Sequence, residues 1–177
     1  MTKYYAGIGA RSTPKEIQDI MTLLASRLEQ EGWILRSGGA DGADSAFERG
    51  IRNPQANAQI YLPDNYFQRR TAGQQPQFLN YQSLPGAQQA MATVQQYHPA
   101  PHKLSDYARH LMARNAMQLL GPDMRTPSKL IVAYTKDGKT IGGTGQALRM
   151  GNTYQIPIRN LGDEQTLSSV KRYLGLI

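Results

Sequence analysis

Three glycine-rich turns carry the clearest chemical signal in this sequence. They are residues 7–11 (GIGAR), 37–42 (SGGADG) and 142–145 (GGTG), and each follows a predicted strand and begins a predicted helix. Glycine lets the backbone approach a phosphate group closely, and the free amides at a helix N-terminus donate hydrogen bonds to it. The turns therefore predict a site for a phosphorylated ligand. The alternative is that they are only tight connections.

The glycine pattern also excludes two common classes of nucleotide-binding protein. The first turn is not the dinucleotide fingerprint G-x-G-x-x-G, because Ser12 stands where the third glycine belongs. The phosphate loop G-x-x-x-x-G-K-[ST] occurs nowhere in the chain. A nicotinamide-dependent dehydrogenase and a P-loop NTPase are therefore disfavoured.

Polar residues near these turns are further candidates for ligand binding. Arg11 ends the first turn, and Arg114 beside Asn115 could offer a guanidinium fork for phosphate together with an amide. The alternative for Arg114 is a solvated helix face. Asp44, just after the second turn, is predicted either to bind a ribose hydroxyl or to cap its helix.

Catalytic and metal-binding patterns are scarce. The chain has no cysteine, which excludes disulfides, thiolate metal sites and a cysteine nucleophile. His98 and His102 are separated by Pro99 and Pro101, which prevent the helix that would bring the two rings together. We therefore predict no metal site, no cofactor and no catalytic residue.

An alternation of strands and helices must position these residues. Strands are predicted near residues 4–9, 33–35, 59–62, 130–134 and 156–158, and helices over 14–31, 43–51, 86–97, 105–120, 163–173 and from the turn at 142–145. This order predicts an α/β fold, a Rossmann-like open parallel sheet with helices on both faces. The carboxyl ends of parallel strands share one edge, so all three turns should meet there.

Residues 63–103 interrupt this order. Nine glutamines and five prolines occur in this segment. We expect one domain over residues 1–177 with an insertion at 63–103 that serves as a lid or an oligomer contact, with a flexible connection as the alternative.

The charge distribution points to an anionic partner. The formal net charge is +7, and residues 98–149 contribute +5 of it with eight Lys and Arg against three Asp. Such an excess suggests a nucleic acid or a phosphorylated small molecule, with a solvated basic face as the alternative. No apolar run approaches the roughly 20 residues of a membrane span, so we expect a soluble cytoplasmic protein without membrane contact.

Two stretches resemble a known family. Residues 9–12 (GARS) and 36–47 (RSGGADGADSAF) resemble the Rossmann-like core of the DNA-processing protein A family. That family belongs to the SLOG superfamily together with the Lonely Guy phosphoribohydrolases, and the resemblance is strongest to short members common in bacteriophages. It implies a nucleotide-phosphate pocket lined by Gly9, Ala10, Arg11, Ser12, Ser37, Gly38, Gly39, Ala40, Gly42 and Asp44, with Gly143, Thr144 and Gly145 opposite and Arg114 and Asn115 on the arginine-bearing helix.

Two departures separate this chain from those families. Lonely Guy enzymes carry acidic residues where this chain has Leu148 and Arg149, so their glycosidic hydrolysis is not expected here. DNA-processing proteins are longer and usually carry additional domains.

Our leading hypothesis is a homo-oligomeric protein that captures a nucleotide-derived small molecule of the ADP-ribose or cyclic-nucleotide kind. In a phage this would sequester a host immune signal and act against defence. The alternative is a protein that binds single-stranded DNA, and a residual glycosidic hydrolase or transferase is the third hypothesis.

Overall fold

The predicted alternation of strands and helices is confirmed by a computed structural model that describes residues 1–177. The strands are β1 (Lys3–Gly7), β2 (Trp33–Ser37), β3 (Ala58–Leu62), β4 (Tyr66–Phe67), β5 (Arg70–Thr71), β6 (Phe78–Asn80), β7 (Leu130–Ala133) and β8 (Ile158–Asn160). The helices are α1 (Lys15–Gln30), α2 (Ala43–Arg49), α3 (Pro54–Asn57), α4 (Ala87–Tyr97), α5 (Asp106–Leu120), α6 (Gly142–Thr153) and α7 (Glu164–Tyr173).

Six strands form one parallel sheet in the order β6-β3-β2-β1-β7-β8. Strands β4 and β5 form a separate antiparallel hairpin. The fold is the Rossmann-like α/β arrangement that the sequence predicts.

Side chains alternate between the two faces of the sheet, as the period of a strand requires. In β1, Tyr5 packs into the core cluster that contains α1, α2 and Val170 of α7, whereas Ala6 packs into the cluster built on α4, α5 and α6. Helices therefore cover both faces. The chain leaves β1 for α1 on one face and β7 for α6 on the other, so the two connections diverge at the carboxyl edge.

The connection from α5 to β7 is held by a buried arginine. Arg36, 1% exposed in β2, donates from Nη1 to the carbonyl of Thr126 at 2.6 Å and to Ser128 Oγ at 3.2 Å. Its guanidinium also stacks on the Tyr4 ring at 3.8 Å. These contacts fix the segment between two elements that both contribute to the candidate site.

The insertion is built into the fold. Strand β6 extends the sheet at its edge, and α4 buries Ala90, Thr93 and Val94 on the face that α5 also covers. The segment therefore has regular structure and is not the flexible connection given as the alternative. Small side chains recur every three or four residues in this glutamine-rich helix and give it a face that packs.

Two local predictions shift. The last strand is Ile158–Asn160 rather than 156–158, and α1 begins at Lys15 rather than at residue 14, with Pro14 at its N-cap. The Thr13 hydroxyl donates to the Ala10 carbonyl at 2.6 Å, within the first turn. None of the helices combines the length and the apolar character that crossing a bilayer requires.

Candidate functional site: a cleft between the first and third turns

A cleft of about 640 Å³ opens at the carboxyl edge, where the connections after β1 and β7 diverge. This volume lies within the roughly 300–1,000 Å³ of small-molecule sites. The cleft is lined by Ile8, Gly9, Ala10, Arg11, Ser12, Ala40, Asp44, Leu111, Met112, Arg114, Asn115, Gln118, Tyr134, Thr135, Lys136, Ile141, Gly142, Gly143, Thr144 and Ala147.

The first turn presents unpaired backbone donors to this cleft. The N–H groups of Gly9, Ala10, Arg11 and Ser12 donate no hydrogen bond within the protein, whereas those of Ile8 and Thr13 on either side do. Successive N–H groups without an acceptor form a concave site for an anion. The unpaired N–H groups of the first turn are therefore candidate donors to a phosphate group.

The third turn presents a second set of donors. Gly142, Gly143 and Thr144 form the first turn of α6 and all line the cleft. The first N–H of this helix that is paired belongs to Gly145, which donates to Ile141 at 2.9 Å. Because Ile141 at the N-cap has no side-chain acceptor, the three preceding N–H groups and the positive end of the helix dipole stay available.

The second turn supports the first from beneath and contributes only Ala40, with Asp44 just after it, to the cleft. Gly42 has a φ of 84°, and a Cβ placed there would lie 2.4 Å from the Arg11 carbonyl oxygen. Ala43 N–H donates to the Ala10 carbonyl at 3.4 Å. Only glycine permits both this backbone conformation and this close approach.

Five predicted site residues lie outside the lining, namely Ser37, Gly38, Gly39, Gly42 and Gly145. Ser37 is fully buried and donates from Oγ to the Gly7 carbonyl at 2.7 Å. Gly39, with a φ of 72°, packs against the side chain of Arg70, and Gly145 packs against the backbone of Thr140. These positions shape the turns and do not line the cleft.

Arg114 is buried at the floor of the cleft and is not the open fork that the sequence suggested. It is 5% exposed, and Nη1 donates to the carbonyls of Gly38 and Tyr61. Its guanidinium also lies 4.9 Å from the Phe67 ring. Burial lowers the pKa of Arg114, and the neighbouring Asp44 carboxylate opposes that shift.

Asn115 and Gln118 extend this polar floor. The Arg114 Nε–H donates to Asn115 Oδ1 at 3.1 Å, and Gln118 Nε2–H donates to the same oxygen at 3.4 Å. The side-chain oxygen of Asn115 is therefore hydrogen-bonded, as a partly buried amide requires.

Sequence reasoning missed several lining residues. Gln118 follows Arg114 by four positions, so helical spacing alone could have placed it on the same face. Thr135 and Lys136 follow β7. They could have been found from the rule that ligands bind at the carboxyl edge of the sheet where the strand order reverses.

Charge at the cleft comes from few side chains. Arg11 and Lys136 are exposed and line it, and Asp44 is its single carboxylate. Of the basic residues within 98–149, only Arg114 and Lys136 reach the cleft. No group of three or more His, Asp or Glu side chains is placed to hold a metal ion, and the His98 ring instead accepts from Ala100 N–H at 3.0 Å.

Known structures share this fold. DNA processing protein A from Helicobacter pylori, whose structure concerns single-stranded DNA binding, superposes with a TM-score of 0.57 at 16% identity over 98% of this chain and 79% of that chain. The molybdenum cofactor carrier protein from Chlamydomonas reinhardtii superposes at 0.55 with 15% identity over 99% and 88%. A second structure of that carrier gives 0.53, also at 15% identity, over 98% and 87%.

These likenesses show the fold alone. No protein-family model matches the chain, and no curated protein matches it in sequence.

The titration of Asp44 predicts how stability depends on pH. Burial raises the pKa of Asp44 above its ordinary value near 3.9, although the Arg114 charge opposes the shift. As pH rises above about 4, the unfolded chain releases this proton before the folded protein does, so rising pH favours unfolding. We expect the free energy of unfolding of the wild type to fall relative to that of Asp44→Asn between pH 4 and the raised pKa.

Urea denaturation of both proteins across pH 4–8 measures this difference. Asn does not titrate, so other groups cancel in the comparison. A difference that is constant with pH, or that moves in favour of the wild type, would contradict the assigned direction.

Proposed function

We propose that this protein binds a nucleotide-derived small molecule of the ADP-ribose or cyclic-nucleotide kind in the cleft and holds it intact. One observation carries the proposal: two groups of unpaired backbone N–H donors, at Gly9–Ser12 and Gly142–Thr144, belong to residues that line the same cleft. Each can bind a phosphoryl group, and Arg11 and Lys136 add positive charge at the exposed side.

The apolar part of the lining suits a base or another flat group. Leu111, Met112, Tyr134, Ile141 and Ala147 line the cleft beside the donors. A site of this composition, with apolar walls and a few polar groups, is typical of small-molecule binding.

The two neighbours of known structure agree with a ligand-binding role. One is described by its single-stranded DNA binding and the other as a cofactor carrier. Together with the motifs at 9–12 and 36–47, the shared fold supports placing this chain in the SLOG superfamily, and the motifs alone underlie the proposal that it is a short phage-type member. In that setting the proposed role is anti-defence, by sequestration of an immune signal in the cytoplasm of a bacterium, and the proposed working form is a homo-oligomer.

We expect the ligand to stay intact because the site lacks the acidic groups that cleavage of the ligand would need. Cleavage of an N-glycosidic bond uses an acid at the leaving group or a carboxylate that stabilises the oxocarbenium ion. The third turn supplies neither, since Leu148 is buried in the core and Arg149 Nε donates to the Tyr97 carbonyl at 3.0 Å. Asp44 is the single carboxylate within the cleft.

Single-stranded DNA is the second candidate ligand, because a neighbour is described by this binding and residues 98–149 carry +5 of the charge. Tyr107, 49% exposed at the start of α5, offers a ring for base stacking. Titration with an oligothymidylate at 50 mM and 200 mM salt separates the candidates. Affinity that falls steeply with salt and exceeds that for ADP-ribose favours DNA.

The role of Arg11 gives the direct test of the small-molecule proposal. Arg11→Ala should weaken ADP-ribose binding by about 1.5–3 kcal/mol, because it removes a charge-assisted contact to phosphate. Isothermal titration calorimetry measures the change. The matched control is Arg172→Ala, an exposed arginine on α7 outside the cleft, which should leave the affinity unchanged.

Unchanged affinity in Arg11→Ala, or an equal loss in both variants, would remove the Arg11 side chain from phosphate binding.

Sequestration predicts stoichiometric recovery of the ligand. Purified protein mixed with nucleoside monophosphates, NAD or ADP-ribose should release no free base over hours, and heating should return the bound nucleotide intact, as measured by liquid chromatography and mass spectrometry. Release of base over many turnovers that disappears in Asp44→Asn would instead establish an enzyme.

A further inference from the structure

The floor of the cleft carries a buried acceptor without a partner. Gln118 is 1% exposed and lines the cleft, and its Oε1 accepts no hydrogen bond within the protein. A buried amide oxygen left unpaired costs about 1–3 kcal/mol. A polar group at this position therefore marks a place where a ligand donor fits.

The orientation of Gln118 is fixed by its neighbours. The Arg114 Nε–H can only donate, so Asn115 turns its oxygen toward it. The nearest Gln118 atom to that oxygen must then be Nε2, at 3.4 Å. In this series of hydrogen bonds Gln118 uses its Nε2–H as the donor. Its acceptor atom, Oε1, is therefore left without a partner.

Asp44 brings carboxylate oxygens to the same place. A Cβ built on Gly38 would lie 2.4 Å from Gln118 Nε2, 2.9 Å from Asp44 Oδ2 and 2.9 Å from Arg114 Cζ, so the three side chains converge over this glycine. The Asp44 Oδ2 accepts from Ala40 N–H at 3.2 Å, and the carboxylate keeps further lone pairs. Asp44 and Gln118 are thus neighbouring side chains that both line the cleft, and each carries an acceptor oxygen with free capacity.

The donors and acceptors of the cleft are segregated. The backbone N–H groups of the two turns require acceptors on the ligand, as phosphates supply, whereas the unpaired Oε1 of Gln118 and the remaining lone pairs of Asp44 require donors. An ammonium donor is disfavoured because the Arg114 cation lies in the same cluster. The amino group of a base is disfavoured as the donor, because the base itself is expected to pack against the apolar residues of α5 and α6 in another part of the cleft. Neutral hydroxyl groups remain.

We propose, on the basis of the phosphate-binding function above, that Asp44 and Gln118 bind the sugar hydroxyls of a ribosyl phosphate. The site then selects ribonucleotides over deoxyribonucleotides. This selection also separates the ligand from DNA, whose sugars lack the 2′-hydroxyl.

The test compares AMP, 2′-deoxy-AMP and 2′,3′-dideoxy-AMP, with inorganic phosphate as the fourth probe, by titration of the ¹⁵N-labelled wild-type protein. Loss of hydroxyls that bind a carboxylate and a buried amide should weaken the dideoxy compound by about tenfold or more relative to AMP. The affinity for inorganic phosphate should not depend on Asp44 or Gln118, because phosphate has no sugar hydroxyls.

A variant assigns the selectivity to the floor. Gln118→Leu should reduce the ratio of AMP to dideoxy-AMP affinity and leave inorganic phosphate binding unchanged. Gln146→Leu is the matched control, because Gln146 is also fully buried with both polar atoms unpaired but lies outside the cleft. Its ratio should match that of the wild type.

The outcomes separate this inference from the function on which it rests. Equal affinities of the three nucleotides in the wild type overturn the inference and leave phosphate binding standing, and this comparison needs no variant to fold. Selectivity that survives intact in Gln118→Leu overturns the assignment to the floor. Failure of the nucleotides and of inorganic phosphate to bind at all overturns both.

Discussion

At the carboxyl edge of the sheet, the chain leaves β1 toward α1 on one face and leaves β7 toward α6 on the other. Adjacent parallel strands whose connections diverge leave a gap that neither connection fills. The N–H groups of Gly9–Ser12 lie in that gap and have no acceptor in the protein. The second turn holds this backbone in place, through Gly42 and the Ala43 N–H, and so the unpaired donors are preorganised before any ligand arrives.

Arg114 organises the other side of the cleft. Its cation is buried among carbonyl oxygens, an aromatic ring and Asp44, which offsets part of the desolvation. Because a guanidinium has no acceptor, it sets the direction of the hydrogen bonds through Asn115 to Gln118. One buried charge thus opposes the rise in the pKa of Asp44 that burial causes, and it sets the direction of the hydrogen bonds at the floor. For the proposed phosphate ligand, the available donors are those of the backbone, and Arg114 acts through its neighbours.

Much of this arrangement follows from the sequence. Glycines before the helical pattern of Ile17, Ile20, Leu24 and Leu28 predict the first turn, and strand alternation predicts its place at the carboxyl edge. The sequence could not show that the second turn lies beneath the first, since that depends on a contact between Gly42 and Arg11 across the sheet edge. It also could not show that Arg114 is buried, because a helical arginine has the same local pattern on either face. Strand β6 was missed because a short edge strand in a glutamine-rich segment has no alternation to recognise.

Chemical shifts of the backbone amides test the central claim, that the two turns bind the phosphates of one ligand in the cleft. In a titration of ¹⁵N-labelled protein with ADP-ribose, the largest changes should occur at the amides of Gly9–Ser12 and Gly142–Thr144, with the amides of α7 unchanged. Binding that shifts residues outside the cleft and leaves both turns unaffected would contradict the account, as would the absence of any shift.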